Sequence, residues 1–179
     1  MKTSIIAVGT ELLFGQTVNT NATYLSKNLN LMGFDVMYHF VVGDNPARLR
    51  EKIGQAYEDT DLVILTGGLG PTQDDLTKEM VADYFGAEMY FDERAADEIR
   101  AFYASRGGKM PENNLKQAYL PEGCTPLYNA SGTAPGFAYE KNGKVVMCFP
   151  GPPRELKWLF ENGGRQYLEQ FMDKKMYYR

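Results

Sequence analysis

The stretch Thr66-Gly67-Gly68-Leu69-Gly70-Pro71-Thr72-Gln73-Asp74-Asp75-Leu76-Thr77 constrains this chain more than any other. The apolar run Asp61-Leu62-Val63-Ile64-Leu65 before it reads as a buried parallel strand, and Leu76 to Phe85 after it reads as a helix. A strand-to-helix turn of this kind lies where open α/β sheets bind ligands, at the carboxyl ends of their strands. Gly67, Gly68 and Gly70 let backbone N–H groups approach a ligand closely. The following helix turns the positive end of its dipole towards a phosphate. Asp74 and Asp75 would repel that phosphate unless a cation lay between, so the stretch predicts a metal-assisted phosphate site. Turn glycines and a helix-capping aspartate account for the same residues without any ligand. No lysine follows the glycines, and the spacing is not GxGxxG, so the familiar nucleotide loops are absent.

The chain leading to this turn repeats one pattern. Ser4 to Gly9 reads as a first strand, followed by Gly9-Thr10-Glu11-Leu12-Leu13-Phe14-Gly15. Ala22, Leu25, Leu29 and Met32 have helical spacing, with Asn19, Thr20 or Asn21 as the cap and Gly33 as the stop. Asp35 to Val42 is a second strand, and Asn45-Pro46 opens a second helix, Ala47 to Tyr57. This β-α-β-α-β-α order predicts a mostly parallel sheet with helices on both faces. It gathers Glu11, Asp44, Asp74 and Asp75 at one edge of the sheet.

Beyond Phe85, Asp92 to Ala104 reads as a charged exterior helix and Pro111 to Tyr119 as a short one. Leu127 to Gly136 is a long turn of small residues. Phe137 to Glu140 and Lys144 to Phe149 form a hairpin around Asn142-Gly143. A last helix runs from Pro152 and Pro153 to about Met172, and Lys174 to Arg179 carries no clear signal. No linker or repeat interrupts residues 1–179, which predicts a single domain.

Composition excludes several functions. A net charge of −4 argues against a nucleic-acid surface, and no apolar run approaches the ~20 residues of a membrane span. The apolar start at Ile5 is too short for a signal peptide. Cys124 and Cys148 make no zinc pattern and read as free thiols of a reducing cytoplasm. The single histidine, His39, rules out a multi-histidine metal site within one chain. Carboxylate, carbonyl and water ligands remain, which favour hard cations such as Mg²⁺ or Mn²⁺.

These motifs resemble the N-terminal, molybdopterin-binding-like domain of the CinA family of competence/damage-inducible proteins. The resemblance rests on Gly9-Thr10-Glu11-Leu12-Leu13-x-Gly15, Asn19-Thr20-Asn21 and the Thr66 to Thr77 loop. It continues through Asn114-x-Lys116-Gln117-Ala118, Asn129-x-x-Gly132-Thr133-Ala134-Pro135-Gly136 and Pro150-Gly151-x-Pro153-x-Glu155. It implies a three-layer α/β/α sandwich with a mostly parallel sheet, the fold of MogA, MoaB and MoeA. It also implies an ADP-ribose pyrophosphatase that uses a divalent metal (Mg²⁺, Mn²⁺ or Co²⁺), often with K⁺, and yields AMP and ribose 5-phosphate. Under the resemblance, Asp75, Asp44 and Lys116 are the catalytic residues and Asp74 and Asp75 the metal ligands. Gly67, Gly68, Gly70, Thr72, Glu11, Asn21, Gly132, Thr133, Pro150 and Gly151 bind the nucleotide. Molybdopterin binding, adenylyl transfer and non-catalytic nucleotide binding are the alternatives. A small-molecule nucleotide partner and a homo-oligomer, dimer or trimer, are expected. Family members commonly continue into an amidohydrolase acting on nicotinamide mononucleotide, an activity not assigned to residues 1–179.

Overall fold

Ile5 and Ile6 adjoin in sequence, yet each is wholly buried in a different core. The same split recurs at Ile64 and Leu65 and at Met147 and Cys148. Side chains alternate across a strand, so one sheet must be covered on both faces. The computed structural model, which describes residues 1–172, contains that sheet. The chain runs β1 (Lys2–Val8), α1 (Thr10–Leu13), α2 (Thr20–Leu31), β2 (Asp35–Val42), α3 (Pro46–Asp59), β3 (Leu62–Thr66), α4 (Thr77–Phe85), β4 (Met89–Phe91) and α5 (Glu93–Ser105). A 3-10 helix (Glu112–Ala118) follows, then β5 (Tyr119–Pro121), β6 (Thr125–Leu127), β7 (Gly136–Lys141), β8 (Lys144–Phe149), α6 (Pro153–Leu159) and α7 (Arg165–Glu169).

The main sheet has six strands in the order β2-β1-β3-β8-β7-β6. Strands β2, β1, β3 and β8 are parallel to one another, and β7 runs against both its neighbours. Leu25 and Leu29 of α2, Leu156 and Leu159 of α6 and Leu168 of α7 cover one face. Leu49, Ile53 and Ala56 of α3 and Val81 of α4 cover the other. The result is the expected three-layer α/β/α sandwich. Strands β4 and β5 pair separately, and with α5 and the 3-10 helix they form an accessory segment with a small core of Ala95, Ala96, Ile99 and Ala118.

Local signals explain most boundaries. Asn19 Oδ1 accepts from the Ala22 N–H at 3.3 Å, so Asn19 caps α2 and leaves the Asn21 side chain free for other work. Asn45 caps α3 in the same way through the Arg48 N–H, with Pro46 in the first turn. Asn142 at φ 55 and Gly143 at φ 75 make the tight turn between β7 and β8. Cys124 and Cys148 are free thiols. Among the described residues, no helix is long and apolar enough to cross a membrane.

Three expectations change. The short helix near Pro111 is a 3-10 helix, in which Glu112 to Ala118 wind more tightly. The final helix is not uniform: Phe160–Gly164 winds as a π-helix between α6 and α7. A Cβ on Gly164 would stand 2.7 Å from the Phe149 ring, so the widened turn admits that ring to the core. A strand that the sequence did not announce, β6, leads into the long turn before Gly136 and extends the sheet. Lys174 to Arg179 lies outside the described residues, as does the end of the 1–179 domain.

Gly68 tests how tightly the loop after β3 is packed. It has φ +70, and a Cβ there would overlap Thr77 Oγ1, which itself donates to Gly67 O at 2.8 Å. Gly86 has a similar φ, +66, with open space around it. Gly86→Ala should therefore cost only the left-handed backbone penalty, about 1–2 kcal/mol. Gly68→Ala should cost roughly 2–4 kcal/mol, because it also breaks the buried Thr77 bond. Urea unfolding of both variants measures the difference. A substitution at Gly68 thus damages the fold as well as any ligand contact.

Candidate functional site

Four parallel strands end on the same edge. Gly9 follows β1, Gly43 follows β2, Gly67 follows β3 and Pro150 follows β8. The Gly9 N–H donates to Val42 O at 2.9 Å and the Gly67 N–H to Phe149 O at 3.0 Å. A Cβ at Gly67 would run into Val8 O, and one at Gly151 would lie 3.3 Å from Gly67 Cα. Backbones that cross this closely leave no room for side chains, and the strand ends open into a cleft of about 610 Å³. That volume suits a small-molecule ligand.

Ten of the residues expected at the site line this cleft: Glu11, Asn21, Asp44, Gly67, Gly68, Gly70, Asp75, Thr133, Pro150 and Gly151. The first turn of α2 and the chain before it, Thr17 to Asn21, supply one wall. The N-terminal end of that helix therefore faces the cleft and favours an anion there. Gly67 has a different role from the one expected. Its N–H is committed to Phe149 O, so the residue shapes the wall but has no donor left for a phosphate.

Thr72, Asp74, Lys116 and Gly132 do not line the cleft, and three of them position residues that do. Asp75 Oδ2 accepts from the Thr72 N–H at 2.9 Å and from Thr72 Oγ1 at 2.7 Å. Asp75 does not cap α4, whose cap is Leu76 with no side-chain bond. Lys116 Nζ donates to Thr72 O at 2.6 Å and Asp75 O at 2.5 Å, and lies 3.9 Å from Glu79 Oε1. It straps the loop from outside. The Lys78 ammonium in turn donates to Lys116 O at 2.5 Å, and burial pushes its pKa down to about 8. Asp74 projects into solvent beside this arrangement.

Gly132 makes room for a carboxylate. A Cβ on it would overlap the Glu155 carboxyl group, which accepts from Asn129 Nδ2 at 2.9 Å. Glu155 lines the cleft, and burial raises its pKa above the usual carboxylate value, with the Asn129 bond and Arg154 working the other way. Its placement repeats that of Asp44: an acidic residue shortly after a strand end. That pattern identifies Glu155 from sequence, although the motif containing it did not mark it as a site residue. Gln117 also lines the cleft and is only 3% exposed. Nothing in its polar surroundings sets it apart in the sequence. His39 is on β2, where Nε2 lies 2.6 Å from Ser26 Oγ, away from the cleft lining.

The donor set fits a hard cation. Glu11, Asp44, Asp75 and Glu155 all line the cleft, and every one offers oxygen. Among the described residues, no three His, Cys, Asp or Glu side chains form a ready metal cluster.

A mostly parallel sheet with a glycine-lined cleft at its carboxyl edge is the arrangement of an open α/β domain. The family described as "Probable molybdopterin binding domain" matches residues 4–170. A competence-damage inducible protein of Acetivibrio thermocellus is 52% identical over 95% of this chain, and one of Caldicellulosiruptor saccharolyticus is 50% identical over all of it. The matches cover 41% and 44% of those two proteins, so the chain spans less than half their length. The crystal structure of CinA from Thermoplasma acidophilum superposes with a TM-score of 0.85 at 37% identity, over 93% of this chain and 98% of that one. MoaB from Pyrococcus furiosus shares the fold, with a TM-score of 0.61 at 17% identity over 95% and 94% of the two chains. The chain belongs to the molybdopterin-binding domain family and, within it, to the CinA proteins.

Glu155 provides a pH test. Its folded-state pKa lies above its unfolded value, so its contribution to stability is complete below the usual carboxylate range and lost as pH rises through the folded value. Glu155→Gln removes that loss. The variant should unfold at a higher temperature than the parent at neutral pH, and the two should converge near pH ~4. Thermal unfolding across that range checks the sign.

Proposed function

We propose that the cleft binds a phosphorylated small molecule of the pterin or nucleotide kind and acts at its phosphoanhydride with a divalent cation. The observation that carries this reading is the convergence, in one cleft, of a helix N-terminus suited to a phosphate and four carboxylates suited to a cation. The α2 end orients the anion, the Gly68 to Pro71 wall keeps bulk away from it, and Thr72 and Lys116 hold Asp75 in place. Glu155, with its raised pKa, is suited to hold or accept a proton at the reacting end. A bound divalent cation would neutralise diphosphate charge and sharpen the acidity of a water. Asp75, Asp44 and Glu11 are the residues that would hold it; Asp74, turned outwards, is placed to take part only through the ligand's exposed side.

Two ligands fit. The family match favours a molybdopterin, with binding or adenylyl transfer as the outcome. ADP-ribose hydrolysis to AMP and ribose 5-phosphate draws support from the carboxylate-rich wall and from Gln117 and Thr133, which belong to the CinA-like segments and line the cleft. The molybdopterin reading has the stronger support. K⁺ as a second cation and a cytoplasmic location belong to this reading. So does self-association as a dimer or trimer, which the exposed side chains of Leu13, Phe14 and Val18 beside the cleft support.

Incubation with ADP-ribose and with molybdopterin plus ATP, across a panel of divalent ions, separates the chemistries. Excess chelator should abolish turnover and divalent ions restore it; full activity in chelator defeats the cation. Asp75→Asn keeps the side chain's shape and an acceptor for Thr72 while removing the charge. Its turnover should fall on the order of 10²-fold, with the unfolding temperature nearly unchanged. A folded variant with parental turnover would remove Asp75 from the chemistry.

A further inference from the structure

Two buried acceptors on residues that line the cleft find no donor among the described residues. Asn21 Nδ2 donates to Gly151 O at 2.7 Å and to Thr66 Oγ1 at 3.2 Å. A backbone carbonyl only accepts, so this pairing fixes which end of the amide faces Gly151. Asn21 Oδ1 is thereby turned the other way, and it is buried without a partner. Gln117 Oε1 is also buried without a partner. Both residues line the cleft. They come from unrelated parts of the fold: Asn21 from the first turn of α2, and Gln117 from the 3-10 helix of the accessory segment.

A buried acceptor left unmade costs about 1–3 kcal/mol, so two of them in one cleft call for a reason. The cleft's carboxylates and the α2 end cannot supply it. Glu11, Asp44, Asp75 and Glu155 are acceptors when ionised. The α2 end suits an anion, but it does nothing for a carbonyl-type oxygen in need of an N–H or O–H. A ligand that matches the whole cleft must be anionic at one end and rich in donors at another. Inorganic phosphate or diphosphate has no sugar or base with which to meet the second requirement.

We propose that Asn21 Oδ1 and Gln117 Oε1 form a donor-reading subsite. It selects, among phosphorylated ligands, those presenting N–H or O–H groups beside the phosphate. Such donors come from the diol of a ribose or from the amino edge of a purine or pterin. The inference rests on the reading of the cleft as a phosphate-ligand site, and it adds the specificity that the phosphate wall lacks. Sites built around a polar ligand group reject analogues without it far more strongly than apolar pockets reject a missing methylene, because the buried partner is left unpaired.

Calorimetric binding, read without turnover, tests it. The probes are ADP-ribose, its counterpart stripped of ribose hydroxyls, its inosine counterpart lacking the base amino group, and a pterin phosphate. The parent protein should bind a donor-bearing probe at least about tenfold more tightly than the matching stripped one, and the weakened arm identifies the source. Gln117→Met keeps the side chain's length without the acceptor. It should lose that preference while unfolding at an equal or higher temperature, since it deletes an unpaired buried polar atom. A merely structural glutamine would show the reverse, lower stability with selectivity intact. Equal affinity of the parent for matched probes overturns the subsite even if the variant does not fold. So does selectivity that survives in a folded Gln117→Met. Absence of binding by every probe overturns the subsite and the phosphate reading together. Turnover without donor selectivity overturns the subsite alone, and donor selectivity without turnover leaves it standing.

Discussion

Everything at the functional edge depends on how closely three backbones approach at the ends of β1, β3 and β8. Gly67 lies against Val8 O on one side and Gly151 on the other, with its N–H bonded to Phe149 O. Thr66 Oγ1 reaches Pro150 O at 3.3 Å and accepts from Asn21 Nδ2, which ties α2 to the same point. Close-packed interiors do not deform continuously, so a Cβ at Gly67 would push the strand ends apart. The strands themselves are ordinary buried parallel strands. Their glycine ends turn an edge of the sheet into a cleft.

The carboxylates are placed by the same geometry. Right-handed crossovers bring successive strand ends to one edge, which is why Glu11, Asp44, Asp75 and Glu155 line one cleft although they are scattered through the chain. Three of them are then locally held. Thr10 Oγ1 donates to Asp44 Oδ2 at 3.1 Å and accepts from the Asp44 N–H at 3.0 Å. Thr72 holds Asp75, and Asn129 holds Glu155. Fixed acceptors need no reordering when a cation or ligand arrives, and preorganisation of this kind is where electrostatic sites gain their strength.

What was legible in the sequence was what local chemistry controls. The turn after β3, the Asn45-Pro46 helix start and the Asn142-Gly143 hairpin each depend on a few adjacent residues with strong backbone preferences. Strands β4, β5 and β6 have three residues each, too few for a period-two pattern to show. Asp74 and Asp75 look equivalent in a line of letters. The path of the loop separates them, because it aims one at Thr72 and the cleft and the other at water. Lys116 is a comparable case. A lysine in a polar helix has no sequence mark that distinguishes a phosphate ligand from a strap on a loop 44 residues earlier in the chain.

That strap gives the accessory segment a part in the site. Lys116 and Gln117 are consecutive residues of the 3-10 helix, and they look in different directions: Lys116 clamps Thr72 and Asp75 from behind, while Gln117 enters the cleft. Lys78 of α4 fixes the same helix through Lys116 O, beside a Glu79 oxygen that is buried without a partner. The low local dielectric makes such a network strong where it is satisfied and costly where it is not. A shift of the accessory segment would therefore move the Asp75 loop and the Gln117 acceptor together. The segment has a small core of its own and also sends Leu120 of β5 into the main one, and the cleft takes its carboxylates from the sheet side and the clamp on Asp75 from the segment. The segment inserted between α4 and β6 thus helps to build the cleft.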